Sequence, residues 1–383
     1  MSVTAAKGFT AAGIAAGIKE NGNPDLALVV NTGPRLAAAG VFTSNRVKAA
    51  PVLWSEQVLK GGLVSAVVLN SGGANACTGP RGFQDTHATA EKAAGTLSLN
   101  AGEIAVASTG LIGVTLPMDK LLPGIEKAAG ELSAHGGEKA AIAIKTTDSV
   151  HKTSVAARDG WTVGGMAKGA GMLAPGLATM LVVLTTDADV EAGHLDKALR
   201  DATRVTFDRV DSDGCMSTND TVLLLASGAS GVTPEYAEFA DAVREVCADL
   251  GRQLIGDAEG ASKDIRVEVV NAASEADAVE VGRSIARNNL LKCALHGEDP
   301  NWGRVLSAIG TTSAAFEPDR LNVAINGVWV CRNGSVGEDR DLVDMRYREI
   351  VVTADLAAGN ETATIWTNDL TADYVHENSA YSS

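Results

Sequence analysis

Short apolar runs closed by Asn, Gly or Asp recur along this 383-residue chain, and their spacing separates strands from helices. The runs LALVVN (26–31) and VSAVVLN (64–70) carry almost no polar position and end on Asn, the pattern of strands buried on both faces. QDTHATAEKAAGTLSL (84–99) predicts a helix with an acidic first turn, IAVAS (104–108) a strand, and PMDKLLPGIEKAAGEL (117–132) a second helix. Beyond a Gly- and Ala-rich loop the alternation resumes with a strand at 180–185, a helix at 192–203 and a strand at 220–226. A long helix follows at 234–256, entered at Pro234, then a strand at 265–270 and a helix at 275–288. Several strands lie beyond 320, including REIVVTADL and ETATIWTNDL. Strands interleaved with helices predict a mixed α/β (α+β) fold.

Length and composition narrow this picture. At 383 residues, 45% of them hydrophobic, the chain exceeds the usual length of one domain and predicts two lobes. The composition changes around 260–320, where EGASKD and HGEDPNWGR separate an Ala-rich body from a strand-rich lobe that runs from roughly 265 onward. Aromatics make up 4% and there are 41 glycines, so packing relies on close backbone approach more than on large rings. The formal charge is −15, with no basic cluster interleaved with aromatics, which argues against nucleic acid as a partner. No apolar run reaches membrane-spanning length. The N-terminal GFTAAGIAAGI lacks the leucines and the cleavage site of a signal peptide. Five dispersed cysteines with no CxxC pair predict neither a disulfide framework nor a zinc site, and fit the reducing cytoplasm.

Several chemistries have no support in the motifs. There is no GxxxxGK[ST] loop, no GxGxxG after a strand, no GxSxG and no HExxH. The six histidines are scattered without ligand-like spacing, so no metal site is expected. DSDGCMSTND (211–220) has alternate acidic residues but lacks the later ligands of a calcium loop, and reads as a polar turn.

One junction poses a choice between packing and chemistry. In KGAGMLAPGLATMLVVL (168–184) a loop of small residues runs into an apolar strand, with Thr179 between them. A threonine hydroxyl without a histidine partner can use its own α-amine as base, provided the Ala178–Thr179 bond is cut. The reference pKa of an α-amine, about 7.7 to 8.0, leaves a useful neutral fraction near pH 7. A loop this rich in Gly and Ala can adopt conformations that press a carbonyl against the hydroxyl, allowing an N-to-O acyl shift and hydrolysis of the ester. On the local pattern alone, Thr179 reads better as an ordinary strand-starting residue after a Gly/Ala/Pro loop.

The fuller pattern resembles the glutamate N-acetyltransferase / ornithine acetyltransferase family of arginine biosynthesis. KGAGMLAPGLATML matches its self-cleavage motif, and the likeness extends to GFTAAGIAAGIK, NSGGANACTG (70–79), ASTGLIG (107–113) and TTDS (146–149). It continues through STNDT (217–221), EGASK (259–263), DPNWGR (299–304) and the closing ENSAYSS. Two departures stand in the match: Gly176-Leu177 where Asn-Met is common, and His151 where Pro is common before Lys152.

The resemblance implies cleavage between Ala178 and Thr179 into an alpha fragment (1–178) and a beta fragment (179–383), interlocked in a layered αββα arrangement. That arrangement resembles N-terminal-nucleophile enzymes but has its own connectivity. It also implies a heterotetramer of two alpha and two beta fragments. Thr179 becomes the nucleophile, and Thr109 and Gly110 form the oxyanion hole, where one donor typically contributes about 3 to 4 kcal/mol. Thr146 or Thr147, Lys168, Thr179, Glu259, Asn378 and Ser383 become substrate-binding residues. Lys168 is expected to face a carboxylate and Glu259 an ammonium group, with the C-terminal tail ordered over the site. If 146–147 is extended, its two threonines point to opposite faces. The implied reaction moves acetyl from N2-acetyl-L-ornithine to L-glutamate by a ping-pong route through an acetyl-threonyl ester, without metal or cofactor. Some members of the family also take acetyl-CoA as donor. Two other readings retain part of the pattern: an N-terminal-threonine aminopeptidase or amidohydrolase, and an uncleaved non-catalytic homologue.

Overall fold

Residues 2–174 and 180–380 are described in the computed structural model, so Pro175 to Thr179 and the last three residues lie outside it. Contacts divide the chain into two units, the first formed by residues up to 208 together with 215–257, the second by 209–214 and 258–382.

Among the described residues the first unit contains nine strands: β1 Phe9–Ile14, β2 Leu26–Asn31, β3 Ala37–Phe42, β4 Ala66–Asn70, β5 Ile104–Ser108, β6 Lys152–Ala157, β7 Thr162–Lys168, β8 Leu181–Thr186 and β9 Thr221–Ala226. Its α-helices are α1 Ala50–Val58, α2 Gly79–Leu97, α3 Met118–Gly130, α4 Gly137–Ala143, α5 Ala192–Val205 and α6 Tyr236–Gly256. Two sheets result, ordered β1-β2-β4-β5 and β3-β9-β8-β7-β6. Val29, Val67, Leu69 and Ala105 of one sheet share a core with Met166, Leu181, Val183, Leu223 and Leu225 of the other. The opposite side chains of the first sheet, Leu28, Val68, Ile104 and Val106 among them, pack on Ala90 and Ala93 of α2 and on Leu121 and Ile125 of α3. Helix α5 lies against β3, and α6 against β6 and β7. The order of layers is therefore helix, sheet, sheet, helix, as the resemblance implies.

Runs of Val, Leu and Ile had to be strands, since both faces of β2, β4, β8 and β9 are buried. Small residues let a further helix enter: a Cβ on Gly13 of β1 would fall 2.0 Å from the Lys139 carbonyl oxygen of α4. Helix α2 starts earlier than its acidic residues suggest, at the Gly79-Pro80 step, because proline suits the first helical turn.

The second unit is one sheet ordered β13-β12-β11-β14-β10-β15, built from β10 Asp264–Ala272, β11 Asn322–Ile325, β12 Val328–Arg332, β13 Ser335–Val336, β14 Glu349–Asp355 and β15 Glu361–Asn368. Its α-helices are α7 Glu275–Ala286, α8 Asn289–His296, α9 Trp302–Ile309 and α10 Ala372–Ala380. The single helix expected at 275–288 is thus a correction: it stops at Ala286, and Asn288 caps a new helix by accepting the Leu291 N–H at 3.0 Å. No helix among the described residues is long and apolar enough to cross a membrane.

Candidate functional site

In the first unit, Thr109 directly follows β5 and is 2% exposed. Its N–H donates to the Asn70 carbonyl (3.0 Å), and its own carbonyl accepts from Gly73 (3.0 Å). The Thr109 amide is thus paired within the fold, so in an oxyanion hole made by Thr109 and Gly110 the Thr109 donor is its hydroxyl. Gly110 has φ +129°, and a Cβ there would sit 2.7 Å from the Gly73 nitrogen, so only glycine fits this close approach.

The segment 211–220 is irregular, as expected of a turn, but much of it is buried rather than solvated. Asn219 donates through Nδ2 to the carbonyls of Ala74 (2.6 Å) and Ser108 (2.8 Å), tying the residue before Thr109 to this segment. The next residue, Asp220, is fully buried and accepts the Met180 N–H at 3.0 Å. Thr221 donates its N–H to the Met180 carbonyl at 3.1 Å. Met180 is therefore held on both sides by consecutive residues at the head of β9. Burial raises the Asp220 carboxyl well above the usual range, against the pull of the Met180 amide and the Lys168 ammonium.

Lys168 ends β7, pairs with Leu181 at the start of β8, and is 2% exposed, where a lone lysine would ordinarily be solvated. Its Nζ lies 4.0 Å from Oδ2 of Asp148. The same oxygen accepts the Thr146 N–H at 3.0 Å. The other oxygen, Oδ1, accepts from Lys152 Nζ and from the Gly169 N–H, both at 2.7 Å. Burial opposes ionisation of Asp148, but the Lys168 and Lys152 charges and the Gly169 amide outweigh it and hold the carboxyl well below its ordinary value. Lys152 is buried and also bonds Asp257 at 2.5 Å. Thr146 and Thr147 lie in a bend, not an extended segment, with Thr146 half-buried and Thr147 exposed, so strand alternation is not what separates them.

In the second unit, Glu259 is half-buried and accepts from Asn378 Nδ2 at 3.0 Å. Helix α10 reaches this point because Gly260 (φ +61°) has no side chain: a Cβ there would meet the Tyr374 nitrogen at 2.1 Å. Thr371 adds a hydrogen bond to the Gly260 carbonyl at 2.6 Å. Asp369 fixes the rest of EGASK, accepting from the N–H groups of Ser262 and Lys263 at 2.9 Å each and lying 2.8 Å from His296 Nδ1. A cavity of about 230 Å³ opens beside Glu259, with Asp213, Arg287, Lys292 and Tyr374 in its wall.

The first unit thus brings together Thr109, Gly110, Thr146, Lys168 and the Met180 backbone, and the second unit brings Glu259 to Asn378. Ala178, Thr179 and Ser383 lie outside the described residues. Asp148, Asn219 and Asp220 were not singled out from the sequence. Their only signal there was membership of the TTDS and STNDT strings.

Comparison with known proteins gives a consistent answer along the chain. The model of the ArgJ family matches residues 10–383. The arginine biosynthesis bifunctional protein ArgJ of Streptomyces avermitilis is 86% identical over 383 residues, covering 100% of both chains. That of Thermobifida fusca is 64% identical over 382 residues, again covering 100% of both. Among solved structures, the ornithine acetyltransferase of Mycobacterium tuberculosis complexed with ornithine is 60% identical, with TM-score 0.45, covering 47% of this chain and 96% of that one.

Proposed function

This chain belongs to the ArgJ family and is a glutamate N-acetyltransferase of arginine biosynthesis, and we propose that it works through a threonine nucleophile freed by self-cleavage between Ala178 and Thr179. The observation that carries this reading is the grip on Met180. Its N–H and carbonyl are bonded to Asp220 and Thr221, so the backbone just after the proposed cut is fixed while the strand beyond it is buried. A fixed position there favours attack by one neighbouring hydroxyl over general hydrolysis.

In cleavage, Thr179 Oγ adds to the Ala178 carbonyl carbon and the C–N bond breaks, leaving an ester and the Thr179 amine. Water then hydrolyses the ester, which releases the Ala178 carboxylate. In turnover, Oγ attacks the acetyl carbon of N2-acetyl-L-ornithine and its proton passes to the α-amine. That proton goes on to the departing ornithine nitrogen, leaving an acetyl-threonyl ester. The amine of L-glutamate attacks the ester, N-acetyl-L-glutamate leaves, and Oγ regains its proton. Donors at Gly110 and Thr109 stabilise each oxyanion. Lys168, Thr146 or Thr147, Glu259, Asn378 and Ser383 hold the amino-acid substrate. Acetyl-CoA serves as a further donor in the bifunctional version of this scheme. The enzyme acts in the cytoplasm as two alpha and two beta fragments.

Intact-mass analysis and N-terminal sequencing of wild type and Thr179→Ala test the scheme. Wild type should yield two fragments, the second beginning TMLVV, and incubation with N2-acetyl-L-ornithine should acetylate that fragment alone. Thr179→Ala should remain one uncut, inactive chain. An uncut wild type that still transfers acetyl would refute the threonine mechanism. Release of free acetate in place of N-acetyl-L-glutamate would convert the reading to a hydrolase.

A further inference from the structure

Asp148 is bonded to more separate pieces of the first unit than any role as a turn residue requires. Its two oxygens meet the Thr146 amide in the bend, Lys152 at the start of β6, Lys168 at the end of β7 and the Gly169 amide beyond it. The two lysines are treated differently. Lys152 is bonded to carboxylates on two sides, at 2.7 Å from Asp148 and 2.5 Å from Asp257. Lys168 is held at 4.0 Å, beyond hydrogen-bond reach but well inside the range of a strong Coulomb attraction in a buried setting. A carboxylate at that distance fixes where the ammonium sits and keeps it charged, without taking one of its protons.

From this geometry we propose that Asp148 is a positioning residue for acyl transfer, aiming the Lys168 ammonium at the substrate carboxylate and setting the Thr146 backbone beside it. The proposal rests on the reading that Lys168 and Thr146 bind substrate. A lysine side chain has many rotamers to lose on binding. Immobilising it before the substrate arrives lowers the entropic penalty of binding, which makes KM the parameter most exposed to the loss of Asp148. Other charges also face this cluster. Lys19 donates to the Lys145 carbonyl at 2.6 Å and has its pKa lowered by burial, with Asp25 opposing that effect. Asp257 lies behind Lys152, and Asp220 feels Lys168 from the side of β9. Asp148 contacts both lysines.

The test is a double-mutant cycle on the mature enzyme, reading KM and kcat for N2-acetyl-L-ornithine with Asp148→Asn, Lys168→Met and the double variant. Asp148→Asn should raise KM about tenfold and change kcat far less, and that increment should vanish in the Lys168→Met background. The alkaline limb of kcat/KM should move to lower pH in Asp148→Asn, because the buried ammonium loses its counter-charge. An Asp148 effect undiminished in the Lys168→Met background overturns the proposal. Wild-type KM in Lys168→Met would instead sink the underlying reading of Lys168, so the two failures are distinguishable. If Asp148→Asn does not accumulate folded, Asp148→Glu decides: it keeps the charge but displaces it, so KM should rise about threefold, and wild-type KM overturns the idea. Asp257→Asn is the comparator. It should lower thermal stability with KM unchanged, and a KM rise equal to that of Asp148→Asn would mean that loosening the bend explains everything.

Discussion

Asp148 and Asp220 are both buried in the first unit, yet the protein drives their carboxyls in opposite directions. Asp148 faces two ammonium groups and accepts two backbone amides, which outweigh its burial. Asp220 accepts the Met180 amide and is also favoured as a carboxylate by the Thr43 and Ser217 hydroxyls and the Lys168 charge, but it is fully buried, so burial prevails and the neutral acid is favoured. Burial sets how much is at stake electrostatically, and the partners decide the sign. Each outcome suits its neighbours. A charged carboxylate can anchor lysines, whereas a neutral one grips a backbone amide without adding a charge beside the site.

The largest test of this contrast is stability. Replacing Asp148 by Asn leaves Lys152 and Lys168 facing a neutral group, and breaking a buried ion pair in this way costs about 3 to 5 kcal/mol. Asp220→Asn keeps an oxygen for the Met180 N–H and exchanges one neutral group for another, so the expected change is within about 1 kcal/mol. Urea unfolding on a Thr179→Ala background, where the scheme predicts one covalent chain, measures both. Equal losses at the two positions would show that the close ammonium partners are not what separates them.

A smaller effect lies in the pH slopes of the same variants. Asp148 has a folded pKa below its unfolded value, so its stabilisation is complete above the unfolded pKa of about 3.9 and is lost as pH falls further. Asp220 has a folded pKa above its unfolded value. Its contribution is fully present below about pH 3.9 and is lost as pH rises toward the folded pKa. Wild type should therefore lose its margin over Asp148→Asn only in strong acid. Asp220→Asn should gain on wild type between pH 4 and neutrality. Parallel stability profiles for wild type and Asp220→Asn across that window would contradict an acid held neutral by burial.

Neither aspartate could be distinguished by sequence pattern, and the reason is physical. β2, β5, β8 and β9 are continuous apolar runs, so both their strand character and their burial are written locally. β1, β3 and β7 (FTAAGI, AAAGVF, TVGGMAK) are masked by Gly and Ala, whose low strand preference imitates a loop. They become strands because neighbours such as α4 need to approach the backbone closely. Thr109, Lys168 and Glu259 were singled out through resemblance, since a lone Thr, Lys or Glu carries no pattern of its own. Asp148 and Asp220 follow Thr and Asn in the short polar strings TTDS and STNDT, which carry no local signal of burial. What distinguishes them is which distant amides and ammonium groups close around them: Lys168 lies 20 positions beyond Asp148, and Met180 lies 40 before Asp220.

Asp211, in the second unit, supplies an intermediate case and the smallest expected effect. It is buried like Asp220, but Arg287 Nε donates to its Oδ2 at 2.7 Å, while Oδ1 has no partner among the described residues. Burial raises its carboxyl to about 6, with the Arg287 charge and hydrogen bond as the chief opposing influences. One strong partner should leave it between the extremes, a carboxylate at neutral pH that takes up a proton only slightly below it. The sign follows that of Asp220: stability from this group is present below about pH 3.9 and is lost as pH rises through about 6. Carbon-13 carboxyl shifts should show Asp211 titrating near pH 6 in wild type. Arg287→Gln should move the midpoint upward, because the opposing charge is removed while burial stays. A midpoint that falls, or one already in the ordinary carboxylate range in wild type, would show that something other than the balance of burial and partners sets the charge of these aspartates.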